Sequence, residues 1–111
     1  MSARKFEMFS KTKKRFGNVT IEKDDKKVYV KLHSTYVARF IVGTNRAVLN
    51  SGGWRTVTTK TCINEALRQA GYHCRIFSHK GNWMLYTRYG DFEFEDCMIV
   101  DADGCVYNTL Y

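Results

Sequence analysis

The residues best suited to chemistry cluster at positions 51–60, which read Ser-Gly-Gly-Trp-Arg-Thr-Val-Thr-Thr-Lys. Gly52 and Gly53 let a ligand approach the backbone closely, and Trp54 offers a flat face for stacking. Arg55 carries a guanidinium that can hold a phosphate through two parallel hydrogen bonds. This combination predicts a loop that binds a polyanion. The structural alternative is that Trp54 anchors the core and the two glycines form a turn.

An amphipathic helix is predicted directly after this loop, at residues 59–70. Its apolar residues follow the i, i+3, i+4, i+7 spacing of a core-facing stripe, and Gly71 stands where a left-handed C-cap belongs. Thr58 or Thr59 is expected to cap the first turn, where unsatisfied backbone N–H groups attract anions. The start of this helix therefore extends the predicted binding loop.

The polar side of the helix carries Lys60, Asn64 and Arg68, which are spaced four residues apart. Residues at this spacing share one helix face, and such a stripe could track a phosphate backbone. Together with basic residues near the N-terminus, the predicted nucleic-acid-binding residues are Trp54, Arg55, Thr58, Thr59, Lys60, Asn64, Arg68, Lys13, Lys14 and Arg15.

A second signal comes from aromatic residues placed close to cations in the predicted strands. The groups are Tyr29 beside Lys31, Tyr36 near Arg39, Arg75 beside Phe77, and His79-Lys80 before Trp83. Sheet faces that bind single-stranded nucleic acid stack bases on such rings while cations contact the phosphates. Most rings of so small a domain must lie in its core, and the sequence leaves open which of them face outward.

The sequence lacks the usual motifs for a nucleotide cofactor, a metal or a catalytic nucleophile. Neither G-x-x-x-x-G-K-[ST] nor G-x-G-x-x-G is present, so the sequence does not predict binding of ATP or NAD. The three histidines show no H-E-x-x-H spacing, and the four cysteines form no paired zinc spacing. We therefore expect no cofactor, no metal and no enzymatic activity. A magnesium-dependent nuclease using carboxylates at positions 91–103 is the catalytic alternative, against a solvated strand face.

Composition and charge favour a single domain with a basic surface. The chain has 111 residues, 44% of them hydrophobic, which suits one modest core and excludes a disordered chain. No apolar run approaches the roughly 20 residues that span a bilayer, so we expect a cytoplasmic protein without membrane contact. Residues 1–80 carry a net charge of +12, and residues 81–111 carry −5. This asymmetry is typical of a polyanion-binding surface, and it also suits a basic protein that is simply soluble.

Alternating apolar and polar residues predict antiparallel strands before the helix. The period of two at residues 19–23 and 28–33 indicates a hairpin with one buried face and one wet face. Residues 36–42 and 47–49 add two further strands of the same kind. These four segments predict an antiparallel meander.

The remainder of the chain completes an α+β domain. Residues 74–78 and 83–87 indicate a second hairpin, and residues 92–100 indicate one further strand with a bulge. The predicted fold class is α+β, a twisted antiparallel sheet with one amphipathic helix in the order β-β-β-β-α-β-β-β. Residues 1–17 are expected to form a basic N-terminal arm, either frayed or held as an edge strand. Residues 18–111 form the single domain.

Four local patterns carry a family resemblance. They are L-N-S-G-G-W-x-T at residues 49–56, a T-T-K helix start at residues 58–60, Ile63-Asn64 on the helix, and F-x-x-K-G-x-W at residues 77–83. With these patterns the chain resembles a group of small bacteriophage proteins over roughly residues 28–97. The resemblance implies a phage accessory protein expressed inside a bacterial cell, and it carries no catalytic residue over.

The leading hypothesis is a phage protein that binds nucleic acid, DNA rather than RNA, through a basic surface that contains aromatic residues. Binding through phosphates would be weakly sequence-specific and strongly salt-dependent. The alternative is a protein-binding inhibitor of a host defence system, similar to an anti-CRISPR protein, or of another host enzyme, without catalysis. A homodimer would double the basic surface, but no residue pattern demands one.

Overall fold

A computed structural model describes residues 14–16 and 18–107 of the chain. The described residues form ten strands and one helix. The strands are β1 Lys14–Phe16, β2 Val19–Lys23, β3 Lys27–Leu32, β4 Thr35–Ile41, β5 Arg46–Leu49, β6 Cys74–His79, β7 Asn82–Thr87, β8 Gly90–Glu93, β9 Met98–Asp101 and β10 Val106–Tyr107, and the helix is α1 Val57–Gln69.

The larger sheet has seven strands in the order β1-β2-β3-β4-β5-β9-β10, and every neighbouring pair is antiparallel. Its side chains alternate between two faces, as in β3, where Val28, Val30 and Leu32 are buried. The face with these buried residues packs against α1. We call the opposite face, on which Tyr29 and Lys31 lie, the outer face.

The smaller sheet has three antiparallel strands in the order β6-β7-β8. Ile76, Trp83 and Leu85 are its main buried side chains, and they belong to the same hydrophobic core as the larger sheet. Cores of this kind form when each sheet buries its apolar face against a shared layer. Here that layer is α1, which packs against β3 and β4 on one side and β6 on the other.

Helix α1 begins two residues before its predicted start because Thr56 supplies the N-cap. The Thr56 hydroxyl accepts from the backbone N–H of Thr59 at 3.2 Å, which satisfies one of the first-turn donors. Ile63 and Leu67 are fully buried on the apolar stripe. Beyond the last turn, Gly71 has a φ of 77°, the left-handed conformation that its position predicts.

Asn64 fastens α1 to the edge of the three-stranded sheet. Its side-chain nitrogen donates to the Ile76 carbonyl at 2.8 Å, and its side-chain oxygen accepts from the Ile76 N–H at 2.7 Å. Ile76 lies on β6, the first strand of that sheet, whose other edge pairs with β7. The amide therefore bonds to Ile76 as a neighbouring strand would, and it covers part of an edge that unpaired backbone groups would expose.

Strand β4 contains one extra residue relative to β3. Val30 pairs with Ala38, and the next residue, Lys31, pairs with Tyr36, so Val37 has no partner in the register. Val37 and Ala38 are both buried, although they are adjacent. This irregularity has the form of a β-bulge, which shifts the alternation of side chains by one position.

The observed architecture confirms the predicted α+β class with one helix and antiparallel sheets. The structure differs at residues 92–100, where one bulged strand was expected. Buried Phe94 and the turn that follows it separate β8 from β9, and the two strands belong to different sheets. Within the predicted basic arm, Lys14–Phe16 pair with β2 as an edge strand, while residues 1–13 lie outside the described residues.

In the part of the chain that the structure describes, no helix has the length and hydrophobicity to span a bilayer.

Replacing Asn64 by Ala removes both hydrogen bonds to Ile76. We expect the free energy of unfolding to fall by about 2 kcal/mol, because the Ile76 N–H and carbonyl lose partners in a partly buried position. Urea unfolding followed by circular dichroism measures the change. Asn82→Ala is the matched control, since Asn82 is exposed and should cost less than about 0.5 kcal/mol. Equal losses in the two variants would contradict this role of Asn64.

Candidate nucleic-acid interface

The loop between β5 and α1 is held in place by Asp96. The backbone N–H and the hydroxyl of buried Ser51 both donate to Asp96 Oδ1, at 2.9 and 2.6 Å. Gly52 and Gly53 have φ angles of 62° and 84°, which form a turn that other residues rarely adopt. Trp54 follows this turn and is 67% exposed, so it is available for contact and does not anchor the core.

Arg55 folds back onto the protein. Its Nη2 lies 3.9 Å from Asp96 Oδ1, and its guanidinium carbon lies 5.1 Å from the Phe94 ring centroid and 5.5 Å from that of Trp83. Partial burial raises the pKa of the Asp96 carboxyl, but the hydrogen bonds from Ser51 and the Arg55 charge outweigh it and lower the pKa overall. The guanidinium predicted to hold phosphate is thus engaged in holding the loop.

The predicted site residues in the first turn of α1 differ in exposure. Thr58 is exposed, whereas Thr59 is buried and its hydroxyl lies 3.1 Å from that of Thr56. Lys60 Nζ donates to the hydroxyl of Ser78 at 2.9 Å, which links the helix to β6. Thr58 and Lys60 are therefore the solvent-accessible polar groups of this turn.

The other two residues of the predicted polar stripe make structural contacts. Asn64 binds the backbone of Ile76, as described above. Arg68 donates from Nε and Nη2 to the two carboxylate oxygens of Glu65, at 2.8 and 2.5 Å. This pairing raises the pKa of Arg68 through hydrogen bonding and the adjacent negative charge. Lys60, Asn64 and Arg68 do not form a continuous stripe of uncommitted donors.

The three predicted N-terminal residues fall at the start of the larger sheet. Lys14 and Arg15 belong to β1, and Arg15 pairs with Thr20 of β2. Thr20 in turn pairs with Lys31 of β3. Lys13 lies outside the described residues. By register, Arg15 therefore occupies the same row of the sheet as Thr20 and Lys31.

The outer face gathers two of the four groups of the second sequence signal, whereas the groups that contain Phe77 and Trp83 belong to the β6–β7 hairpin of the smaller sheet. The extra residue in β4 places both Tyr36 and Arg39 on this face, because it shifts the alternation between them. Tyr29 pairs with Arg39, and Lys31 pairs with Tyr36, across β3 and β4. Two tyrosines and two cations therefore occupy adjacent positions.

A concave pocket of about 500 Å³ opens on the outer face, a volume in the range of small-ligand sites. We call it the outer-face pocket. It is lined by Glu22, Tyr29, Tyr36, Arg39, Val48, Asn50 and Cys97.

Two tyrosine rings and a carboxylate form one side of the outer-face pocket. The rings of Tyr29 and Tyr36 meet edge to face, with centroids 5.5 Å apart. The Tyr36 hydroxyl donates to Glu22 Oε1 at 3.1 Å, and this hydrogen bond raises the pKa of Tyr36. Tyr36 is still 44% exposed, so its ring remains open to a ligand.

Arg39 supplies the pocket's cation. Within the described residues, its Nε is a buried side-chain nitrogen without a hydrogen-bond partner. A buried donor without an acceptor costs about 1–3 kcal/mol, and native structures contain few of them.

Two loops close the end of the pocket. Asn50 follows β5, and its side-chain oxygen accepts from the Gly52 N–H at 3.0 Å, which leaves the amide N–H groups to donate. Cys97 precedes β9, and its own N–H donates to the Leu49 carbonyl at 2.8 Å. These backbone and side-chain bonds fix both loops against the larger sheet.

Further cation and ring pairs extend the outer face beyond the pocket. Lys31 Nζ lies 5.4 Å from the centroid of the Tyr36 ring. At the other end of the sheet, the Arg46 guanidinium lies 3.8 Å from the centroid of the Tyr107 ring. Both distances are within the range of cation–π contacts. Positive charge and an aromatic ring therefore lie side by side at two places on the outer face.

A second concave surface lies between α1 and the smaller sheet, with a volume of about 600 Å³. Arg68, Arg75 and Arg88 contribute to its lining. Arg68 is paired with Glu65, and the Arg75 guanidinium lies 5.6 Å from the Tyr86 ring centroid. We regard the outer-face pocket as the stronger candidate because two tyrosines line it beside Arg39 and Tyr36 is 44% exposed.

The buried cysteines are poorly suited to nucleophilic chemistry. Burial raises the pKa of the Cys62 and Cys74 thiols to about 12, so almost no thiolate forms at neutral pH. Among the described residues, no group of three or more His, Cys, Asp or Glu side chains is arranged to hold a metal ion.

The sequence pointed to rings close to cations but left open which of them face outward. No sequence pattern marked Glu22 or Asn50 as site residues. Their neighbours in the pocket lie on other strands and become known only from the strand register. The period of two would have placed Tyr36 and Arg39 on opposite faces. No local pattern marks Val37 as the extra residue.

A family model described as Kyanoviridae Gp96 protein matches residues 2–101. No curated protein and no solved structure matches the chain.

Replacing Asp96 by Asn tests the anchor of the Trp54 loop through its pH dependence. A carboxyl with a lowered pKa contributes stability above its ordinary value of 3.8, and the contribution is lost as pH falls through the lowered pKa. We expect Asp96→Asn to lower the free energy of unfolding by about 1 kcal/mol at pH 7, allowing for solvent screening. The difference from wild type should shrink as pH falls below 3.8, because the stabilising ionised form is then progressively lost.

Urea unfolding across a pH series measures this difference. Asp91→Asn removes the same charge from an exposed position and serves as control. A difference between wild type and Asp96→Asn that stays constant down to pH 2 would argue against the ionised anchor.

Proposed function

The chain belongs to the Kyanoviridae Gp96 protein family, whose model covers residues 2–101, and from this premise we propose that it is a phage accessory protein that binds single-stranded nucleic acid on its outer face. The observation that carries the proposal is the outer-face pocket, where Arg39 and two tyrosines line one concave surface and Tyr36 is 44% exposed.

The chemistry of the pocket favours unpaired bases. A base that stacks on Tyr29 or Tyr36 must leave its own duplex partner, since stacked and paired bases are not accessible from the side of a sheet. The accessible ring of Tyr36 supports such stacking. Sheet surfaces that bind single strands use the same combination of exposed rings and cations.

Positive charge near the pocket supports contact with phosphates. Lys31 lies beside Tyr36 on the outer face, and Arg15 occupies the same row of the sheet by register. Residues 1–15 contain six basic residues and one acidic residue, and they lead into the edge strand of this sheet. Counterion release from a bound strand would make the affinity depend strongly on salt.

A second candidate function, inhibition of a host protein by direct binding, is favoured by the surface around Trp54. Trp54 and Val57 are 67% and 73% exposed and lie three positions apart, at the loop and the first residue of α1. Trp is enriched among the residues that dominate protein interfaces. A pocket of about 330 Å³, partly lined by Trp54 and Val37, lies next to them.

Binding to single-stranded oligonucleotides tests the first function. We expect a double variant, Lys31→Ala with Tyr36→Ala, to bind a fluorescent 12-nucleotide strand at least tenfold more weakly than wild type, because it loses a phosphate contact and a stacking surface. Fluorescence anisotropy across a salt series measures the affinity. The slope of log affinity against log salt should fall by about 0.7 when Lys31 is removed.

The matched control is Trp54→Ala with Lys60→Ala, which removes one ring and one cation from the predicted α1 loop. This variant should bind like wild type. If it lost affinity while the outer-face variant did not, binding would belong to the loop. Absence of salt-dependent binding by wild type would exclude both surfaces.

Capture of a host protein tests the second function. We expect purified, nuclease-treated protein to retain a bacterial partner in a pull-down only if Trp54 and Val57 are present. Trp54→Ser with Val57→Ser should release that partner and leave oligonucleotide binding unchanged, since neither residue lines the outer-face pocket. Mass spectrometry of the retained proteins gives the result, and identical profiles for both proteins would speak against docking at this surface.

A further inference from the structure

We propose that the concave surface between α1 and the smaller sheet binds a phosphate monoester. We call this surface the helix-side pocket, and its volume is about 600 Å³. Among the described residues, none lines both this pocket and the outer-face pocket, so the proposal does not rest on the binding of single strands. Three arginines line the helix-side pocket, namely Arg68 on α1, Arg75 on β6 and Arg88 directly after β7.

The pairing of β6 with β7 brings two of these arginines to one end of the smaller sheet. Arg75 pairs with Tyr86, and the neighbouring pair, Cys74 with Thr87, is buried. Arg75, Tyr86 and Arg88 are all exposed, as the alternation of side chains requires on the opposite face. Two guanidiniums from different segments therefore border the same concave surface.

The turn that carries Arg88 is held by Thr87. The Thr87 hydroxyl donates to the Gly90 carbonyl at 2.9 Å and accepts from the Tyr89 N–H at 3.0 Å. Behind the turn, Gly104 packs so closely that a Cβ added to it would lie 3.0 Å from the Thr87 Cβ. These contacts fix the backbone at Arg88 before a ligand arrives, which reduces the entropy lost on binding.

Arg75 and Arg88 have donors that a ligand can use. The Arg75 guanidinium carbon lies 5.6 Å from the centroid of the Tyr86 ring, a cation–π contact that engages no hydrogen-bond donor. Within the part of the chain that the structure describes, neither arginine takes part in an ion pair or a side-chain hydrogen bond. Each guanidinium can hold a phosphate through two parallel hydrogen bonds.

Arg68 contributes charge to the helix-side pocket, whereas its donors are engaged. Its guanidinium donates to both carboxylate oxygens of Glu65, and Gln69 Nε2 donates to the same carboxylate at 2.9 Å. Three arginines and one glutamate give the lining a formal charge of +2 with His73 neutral. The single acid of the pocket is thus held by the helix, and the net field attracts anions.

A phosphate monoester matches this charge. It carries about −1.5 to −2 at pH 7 and presents three oxygens at one end. A phosphodiester within a strand carries a single negative charge and continues on both sides, which suits an open sheet face better than a concave pocket. The pocket is larger than a phosphate group, and Tyr72 and Tyr86 supply aromatic surface for the remainder of the ligand. A nucleoside 5′-monophosphate satisfies both conditions.

Isothermal titration calorimetry of the full chain tests the site with a matched pair of ligands. We expect thymidine 5′-monophosphate to bind about tenfold more tightly than its methyl ester, because the ester has lost one charge and one free oxygen. Thymidine, which has no phosphate, should bind more weakly than either. Equal affinities for the monophosphate and its methyl ester would overturn the proposal.

Arg75→Ala with Arg88→Ala should weaken binding of the monophosphate about tenfold, because two guanidinium contacts are lost. Lys26→Ala with Lys80→Ala removes the same charge from exposed positions outside the pocket and should bind like wild type. An equal loss in the two double variants would show a response to net charge alone and would contradict the site.

Arg75→Lys with Arg88→Lys keeps the charge but cannot form the parallel hydrogen bonds. It should lose about threefold in affinity, and it decides the question if circular dichroism shows that the alanine variant is unfolded. Unchanged affinity of a folded lysine variant would overturn the role of the two guanidiniums.

A thymidine nonamer with and without a 5′-phosphate distinguishes a free nucleotide from the end of a strand. A gain from the 5′-phosphate that is lost in the Arg75 and Arg88 alanine variant assigns the site to a strand end. Binding of the monophosphate without such a gain assigns it to a free nucleotide. Both results support a monoester site.

The outer-face variant, Lys31→Ala with Tyr36→Ala, separates this proposal from the proposed function. It should bind the monophosphate like wild type, since neither residue lines the helix-side pocket. Loss of monophosphate binding in that variant would move the site to the outer face and overturn the proposal. Absence of monophosphate binding by wild type would also overturn it, and single-strand binding would still be judged from its own salt series.

Discussion

Side chains on a β-strand alternate between two faces, and this constraint decides which residues can form a site on the outer face. Tyr36 and Arg39 stand three positions apart on β4, so a regular strand would direct them to opposite faces. Val37 has no partner in the register with β3, and the extra residue resets the alternation. Tyr36 and Arg39 then share one face, where Tyr29 lies opposite Arg39. The grouping of rings and cation in the outer-face pocket depends on this single irregularity.

The polar residues of α1 hold the two sheets in one domain. Asn64 binds the edge of β6, Lys60 reaches Ser78 on the same strand, and the buried stripe of α1 packs on β3 and β4. A helix that joins two sheets must satisfy backbone groups on the strand edge that it covers, since buried orphan groups destabilise a fold. Donors engaged in that way contribute less to ligand binding, which is why a basic stripe on a helix is weaker support for a site than an exposed sheet face.

The secondary structure could be predicted from local patterns, whereas the site could not. The period of two in β3 and the apolar stripe of α1 are each contained in a short segment, so the strands and the helix were found with small errors at their ends. Glu22, Asn50 and Cys97 come together only through pairing between distant segments. The separation of β8 from β9 likewise depends on burial of Phe94, which local alternation does not reveal. The face on which a side chain lies can be read from a short segment, whereas the residues that lie beside it on other strands cannot.

Glu22 is an acid on a surface whose other charged pocket residue is Arg39. The Tyr36 hydroxyl donates to Glu22 Oε1, so the protein itself engages this carboxylate. At 4 Å in water, repulsion between two unit charges is about 1 kcal/mol, and salt screens it further at larger distances. Lys31 lies two residues from Tyr29 on β3, outside the row that Glu22, Tyr29 and Arg39 form across the strands. Phosphates are identical in every nucleotide and carry no sequence information. A strand held by Lys31 and Arg39 through phosphates alone would therefore bind with no preference among bases.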